Sequence, residues 1–68
     1  MATLLLTQRE AASILRLSER TLERMRRIGI GPRFIRLSRR SIRYRQQDLD
    51  AHVAARVVSS TSEKGTQQ

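Results

Sequence analysis

The segment from Thr7 to Gly29 most constrains the fold, because it has the sequence of two short capped helices separated by a tight turn. Thr7 and Glu10 fit a Thr-x-x-Glu capping box, which pairs two otherwise unsatisfied backbone N–H groups at a helix start. Ser18 can cap a second helix, and Gly29 best tolerates the left-handed conformation that follows a helix end. The predicted helices span residues 8–15 and 19–28.

Apolar residues recur at helical spacing in both predicted helices. Leu6 can pack on Ala11 as a hydrophobic staple, and Leu17 on Leu22. The predicted buried faces consist of Ala11, Ile14 and Leu15 in the first helix and Leu22, Met25 and Ile28 in the second. Two such helices joined by a turn of about three residues form a helix-turn-helix motif, whose second helix enters the DNA major groove.

Positive charge is concentrated between residues 16 and 45. This segment holds eleven arginines and two acids, Glu19 and Glu23, and therefore carries +9, whereas the whole chain of 68 residues carries +8. A localised basic face is typical of proteins that bind a polyanion. The alternative is a solvated surface, but such surfaces usually mix both signs of charge. The sequence therefore favours nucleic-acid binding.

Several other classes of protein are disfavoured by composition. The length suits one small domain with a thin core. Without cysteine there is neither a disulfide framework nor a cysteine-based zinc site, and the apolar run Leu4–Leu6 is too short for a signal peptide or membrane span. No nucleophile–base pair, glycine-rich phosphate loop or catalytic carboxylate pair stands out. We expect a cytoplasmic protein that is not an enzyme and has no cofactor, metal, small-molecule ligand or membrane partner.

After the turn Gly29–Pro32, two short alternating runs, RFIRL and IRYR, flank the polar sequence SRRS. This pattern predicts a β-hairpin with strands at about 34–37 and 42–45 and a tip at 38–41. Its inner face, predicted to cover the helices, consists of Ile35, Leu37, Ile42 and Tyr44. The arginines left nearer to solvent or DNA are Arg36, Arg43 and Arg45. A hairpin in this position is a wing.

A third helix is predicted at about 46–58, with a weak N-cap and with Leu49, Val53 and Val57 facing the core. The sole histidine, His52, fits a surface or packing role on this helix better than a ligand role. We expect residues 1–3 to be a loose end and residues 59–68 a disordered tail. The predicted fold is mainly α: a winged helix-turn-helix of three helices and a two-stranded wing, occupying residues 1–58.

Three motifs together resemble a known family. They are Ser-x-Arg-Thr-Leu at residues 18–22, Gly-Pro-x-Phe-Ile-Arg at 31–36 and Arg-Tyr-Arg-x-x-Asp-Leu at 43–49. In this order they resemble the excisionase-type winged helix-turn-helix proteins of phages and mobile elements, small relatives of the MerR DNA-binding domain. The resemblance covers residues 4–58.

The resemblance implies that the second helix binds the major groove and the wing an adjacent minor groove. Many family members bend DNA and act as recombination directionality factors beside a tyrosine-type integrase, and others regulate transcription. The chain departs from the family pattern at three places. Arg16 replaces a frequent glycine, so a left-handed residue there would cost ~1 kcal/mol. The tip SRRS is longer and more basic than usual, and His52 replaces a frequent aromatic residue.

The predicted DNA-binding residues fall into three groups. Those of the recognition helix are Ser18, Glu19, Arg20, Thr21, Glu23, Arg24 and Arg27. Those of the wing are Arg36, Arg39, Arg40 and Arg43, and the predicted DNA-backbone contacts are Thr7 and Arg16. Arg20 and Arg24 lie one helical turn apart and could each reach a guanine edge or a phosphate. Glu19 or Glu23 could accept a hydrogen bond from the amino group of cytosine. Each could instead stabilise the helix, by compensating the helix dipole or by forming an intrahelical ion pair.

The resemblance favours an excisionase whose partners are double-stranded DNA, an integrase and further copies of itself bound head to tail. One alternative is an AlpA-like transcriptional regulator on the same fold. Another, from a different class, is a protein-interaction module such as a phage packaging or antitoxin component.

Overall fold

A computed structural model describes residues 4–59 of the chain. Six elements follow one another: β1 (Leu5–Thr7), α1 (Gln8–Leu15), α2 (Glu19–Ile28), β2 (Ile35–Ser38), β3 (Ser41–Arg45) and α3 (Gln46–Ala54). The predicted architecture of three helices and a β-hairpin is confirmed, as are the bounds of the first two helices. The expectations for residues 1–3 and 60–68 lie outside the described residues. No helix within the described segment has the length and apolar character needed to cross a membrane.

The caps of α1 and α2 have the predicted geometry. The Thr7 hydroxyl accepts a hydrogen bond from the Glu10 backbone N–H (3.1 Å), while the Glu10 carboxylate accepts one from the Thr7 N–H (2.9 Å). The Ser18 hydroxyl accepts a hydrogen bond from the Thr21 N–H at 3.0 Å. Gly29 follows α2 with a φ of 78°. Because each cap depends only on neighbouring residues, the ends of both helices are determined locally.

The turn between the two helices places Arg16 in the left-handed conformation, with φ 58° and ψ 39°. It is the one non-glycine residue with a positive φ among those described. The Arg16 N–H donates to the Ser13 carbonyl oxygen (3.1 Å), and the Leu17 N–H donates to that of Ala12 (2.8 Å). These bonds pair carbonyls at the end of α1 and offset part of the strain of the left-handed residue.

The wing is part of a three-stranded antiparallel sheet with the strand order β1–β3–β2. Its first strand was not predicted from the sequence, because a strand of three residues shows no readable periodicity. In the register, Leu6 faces Tyr44, and Arg36 faces Ile42. β3 is therefore the central strand, and it pairs with β1 on one side and with β2, the other strand of the hairpin, on the other side.

The prediction for the inner face of the hairpin was wrong for β2. Ile35 is paired with Arg43, and an irregularity between Arg36 and Ser38 adds a residue to β2. Directly opposed residues share one face of a sheet, so Ile35 lies on the same face as Arg43 and Arg36 lies on the face of Ile42. Leu37, at the irregularity, is exposed.

The core is small and consists of Leu6, Ala11, Ala12, Leu22, Tyr44 and Leu49. α1 packs on α2, β1 and β3, while α3 packs on α1 and β3. Ala12 rather than Ile14 faces the core, because the two alanines allow α1 to lie close to its neighbours. Tyr44 is completely buried and supports the wing.

Four residues predicted to face the core are exposed: Ile14, Ile28, Val53 and Val57. Leu17, predicted to pack on Leu22, is also exposed. The third helix ends at Ala54 rather than at residue 58, and only Leu49 reaches the core from it. Val57 lies beyond the end of this helix and is therefore not positioned against the core. Its predicted weak cap is confirmed, since Arg45 at the N-cap position makes no side-chain capping bond.

Candidate nucleic-acid interface

A stripe of arginines runs along the exposed side of α2. Arg20, Arg24 and Arg27 lie at successive turns and are exposed, whereas Leu22 on the opposite side is completely buried. The stripe borders a shallow groove of about 450 Å³, lined by Arg20, Glu23, Arg24, Arg27 and Ile28. Guanidinium groups one turn apart on an open helix face can donate to base edges or to phosphate oxygens.

Glu23 pairs with Arg27 at 3.1 Å, one turn along the helix. Both side chains are well exposed, so this pair contributes only about 0.3–0.5 kcal/mol. Such a weak pair can open without much cost when DNA approaches. At the start of α2, the Ser18 hydroxyl donates to that of Thr21 at 2.9 Å, and both side chains are exposed.

The four predicted wing arginines do not form one surface. Arg39 and Arg40 form the exposed turn between β2 and β3. Arg36 is exposed on the edge strand, with its guanidinium 5.8 Å from the centre of the Phe34 ring. Arg43 lies on the opposite face of the sheet, half-buried, and donates to the Ile42 carbonyl oxygen at 2.9 Å. The two arginines of the tip are therefore the wing arginines that are most available to a partner.

A cleft of about 360 Å³ is lined jointly by residues of α2, of the wing and of the start of α1. It is lined by Thr7, Gln8, Arg9, Glu19, Glu23, Arg26, Arg40, Ile42 and Arg43. Thr7 caps α1 and faces this cleft, as a DNA-backbone contact would require. Arg16, the other predicted DNA-backbone contact, is exposed in the turn after α1 and lines neither this cleft nor the groove beside α2.

A family model described as a helix-turn-helix domain matches residues 5–57, which is most of the chain. The chain belongs to this helix-turn-helix family. The family includes excisionase-like and AlpA-like small DNA-binding proteins, and double-stranded DNA is therefore the partner of this domain. No individual curated protein matches the chain.

Arg26 of this helix-turn-helix protein has an internal role that sequence reasoning missed. Its guanidinium donates hydrogen bonds to the Gln8 side-chain oxygen and, at 3.4 Å, to the Tyr44 hydroxyl. It also lies 5.8 Å from the centre of the Phe34 ring. Arg26 thus connects α2 to α1 and to the sheet. Its position one turn after Leu22 was the available signal, since it places the side chain towards the buried side of α2.

The ionisable groups with shifted pKa values lie near α3 of the helix-turn-helix domain. Arg45 donates two hydrogen bonds to Asp48, at 2.7 and 3.0 Å, which lower the pKa of the carboxyl and raise that of the guanidinium. Partial burial, together with the nearby charge of Arg56, lowers the pKa of His52. Asp48, His52 and Arg33 border a separate depression of about 210 Å³.

The helix-turn-helix domain offers little for metal binding within residues 4–59. No group of three histidine, cysteine, aspartate or glutamate side chains lies close enough there to hold a metal ion.

Proposed function

We propose that this DNA-binding protein is an excisionase, which binds the attachment site of a phage or mobile element, bends it, and directs a tyrosine-type integrase towards excision. The observation that carries the proposal is that one domain presents two exposed basic features, the arginine stripe of α2 and the wing tip, with a cleft that residues of α2 and of the wing line together. Such a protein reads two adjacent grooves at once. The order of motifs along the chain, which resembles that of excisionases, adds the recombination role.

In this proposal Arg20 and Arg24 contact base edges in the major groove, where guanidinium groups pair best with guanine. Arg39 and Arg40 enter the adjacent minor groove, whose negative potential attracts arginine where it is narrow. Thr7 and Arg16 contact the DNA backbone. The protein acts in the cytoplasm, at the host DNA.

Self-association on DNA is the second part of the proposal. A single domain of this size makes a modest DNA interface, so useful affinity depends on neighbouring copies that bind together. Ile28 and Ile30, near the end of α2, and Val57, after α3, are exposed and apolar. They provide apolar surface for a head-to-tail contact between adjacent copies, and successive wings would then bend the duplex cumulatively.

The proposal is tested in two steps. Titration of duplex DNA at several salt concentrations should give a log–log slope of about −5 to −7, if ~6–8 arginines neutralise phosphates. A slope near zero would overturn the electrostatic basis of DNA binding.

Footprinting across the attachment region of the host element then identifies the role. Protection of several closely spaced sites near the integrase sites, with stimulated excision when the integrase is added, supports an excisionase. Protection confined to a promoter, without any effect on excision, would identify an AlpA-like regulator instead. Failure to bind any duplex would favour a protein-interaction module.

A further inference from the structure

We infer that the cleft between α2 and the wing holds the sugar-phosphate strand that separates the two grooves, and that Arg9 binds a phosphate of this strand. The inference rests on the proposed placement of α2 in the major groove and the wing in the adjacent minor groove. Adjacent major and minor grooves of a duplex are separated by one backbone strand. A protein that inserts one element into each groove must therefore hold that strand between the two elements.

The cleft has the position and the charge that this placement requires. Residues from the start of α1, from α2 and from the wing line it together. Four of these are arginines, Arg9, Arg26, Arg40 and Arg43, against the two acids Glu19 and Glu23. Arg26 is held by Gln8 and Tyr44, and Glu23 is paired with Arg27. The side chains left to meet a phosphate therefore have a net positive charge.

Arg9 is the arginine of this cleft that comes from α1. It is exposed, and the described residues give it no hydrogen bond or ion pair. An unpaired guanidinium beside a strand of phosphates forms charge-assisted hydrogen bonds without first breaking an internal one. Arg9 lies outside the basic segment of residues 16–45, which is why the charge pattern of the sequence did not point to it.

Glu19 lines the same cleft from α2, and its negative charge therefore lies near the inferred path of the phosphates. A negative charge in this position repels the phosphates, so the strand should lie nearer to α1 and the wing than to α2. Replacing the carboxylate by an amide should therefore strengthen binding to all sequences by a similar factor. If Glu19 instead accepted a hydrogen bond from cytosine, the same replacement would change the base preference.

The test compares Arg9→Ala with Arg33→Ala, because both residues are exposed arginines and Arg33 borders the separate depression beside α3. We expect Arg9→Ala to weaken binding severalfold for every duplex, to reduce the magnitude of the salt slope by about 0.9, and to leave the ranking of sequences unchanged. Arg33→Ala should leave all three quantities unchanged. Arg9→Lys should recover most of the affinity, and thermal melting should show that each variant is folded.

Phosphate-ethylation interference locates the contact on the DNA. With the wild-type protein, ethylation of the phosphates between the major-groove and minor-groove contacts should block binding, and Arg9→Ala should remove part of this interference. The inference is overturned if Arg9→Ala matches Arg33→Ala in affinity and slope, or if it changes the ranking of sequences. In either case Arg20→Ala and Arg24→Ala still report whether the domain reads DNA, so the proposed function stands or fails separately.

Discussion

The arginines of α2 differ in role because their surroundings differ. Arg20 and Arg24 are exposed and point away from the core, whereas Arg26, on the same helix, is half-buried and hydrogen-bonded to two other elements. The net charge of residues 16–45 includes all of these arginines equally and does not distinguish their roles. A charge count therefore predicts the kind of partner, and only the three-dimensional contacts separate residues available to DNA from those that hold the domain together.

Arg20→Ala and Arg24→Ala should each change which DNA sequences are preferred. A guanidinium that makes two hydrogen bonds to guanine contributes ~1–3 kcal/mol to discrimination against the wrong base. Binding to a set of single-base variants of the target, at constant salt, measures the effect. Arg33→Ala serves as the control and should leave the preferences as they are.

Arg16→Gly should stabilise the fold by up to ~1 kcal/mol, because glycine occupies the left-handed region without a Cβ clash. Arg16→Ala, which keeps the Cβ, should give no such gain. Chemical denaturation measures both. If Arg16 contacts a phosphate as proposed, both variants should also bind DNA less tightly and with a smaller salt slope, so that stability and binding change in opposite directions for glycine alone.

The fold should lose stability as the pH falls below about 6.5, and His52 should cause this loss. Partial burial and Arg56 lower the pKa of His52 below its usual value of 6.5, so the unfolded chain binds the proton more tightly. The stabilisation is complete above pH 6.5 and decreases as the pH falls towards the folded pKa. In the His52→Gln variant, the melting temperature should depend less on pH in this range.

A separate acid-dependent loss comes from Asp48. Its folded pKa is lowered by Arg45, so its stabilisation decreases only below the usual carboxyl value of 3.8. Melting curves from pH 7.5 to 5.0 therefore isolate the histidine. An unchanged pH profile in His52→Gln would show that another group titrates there.

At the scale of elements, the sequence predicted what neighbouring residues determine. The capping box at Thr7, the cap at Ser18 and the glycine after α2 fixed the ends of two helices correctly. β1 could not be predicted, because its pairing depends on β3, far along the chain. The predicted inner face of β2 was wrong because one extra residue in this strand changes which side chains lie opposite each other, whereas the predicted inner residues of β3 do face the core.

For the candidate site, the sequence predicted the exposed stripe on α2 and the exposed turn of the wing. It did not show that Arg36 and Arg43 lie on opposite faces of the sheet, or that Arg43 is half-buried. It also missed Arg9 and Arg26, whose roles depend on packing between α1, α2 and the sheet. Residues that act through a neighbouring element leave no local pattern.

Replacing both wing-tip arginines, Arg39 and Arg40, by alanine should weaken all DNA sites evenly. The tip is exposed and has no base-reading geometry of its own, so the loss is of phosphate and minor-groove electrostatics, and the magnitude of the salt slope should fall by up to about 2. Gel shifts on cognate and unrelated duplexes at several salt concentrations measure this. The division of roles fails if this double variant alters base preference while Arg20→Ala and Arg24→Ala do not.

For the whole molecule, we expect a monomer in solution that binds closely spaced direct repeats cooperatively. The described helices have at most ten residues, so none of them is long enough to form a coiled-coil dimer contact. A head-to-tail contact does not close by symmetry and can continue along DNA. Sedimentation of the free protein and gel shifts on probes with one, two and three repeats measure both properties.

A stable dimer in solution would falsify the head-to-tail arrangement. Independent filling of neighbouring repeats would also contradict it, and would favour a conventional regulator. Ile30→Ser serves as a probe of the contact, because Ile30 is exposed and its loss leaves the core intact. It should reduce cooperativity on multiple repeats while leaving the affinity for a single repeat unchanged.

The central position of β3 has a consequence for biosynthesis. β1 and both helices of the DNA-reading unit leave the ribosome before β3, yet Leu6 completes its packing only against Tyr44. Until Arg45 has emerged, α1 lacks the central strand on which it packs, and isolated helices of 8 and 10 residues are only marginally stable. Small domains generally fold as single units, and pairing of distant strands comes late. The domain therefore acquires its DNA-binding form only after β3 has been synthesised.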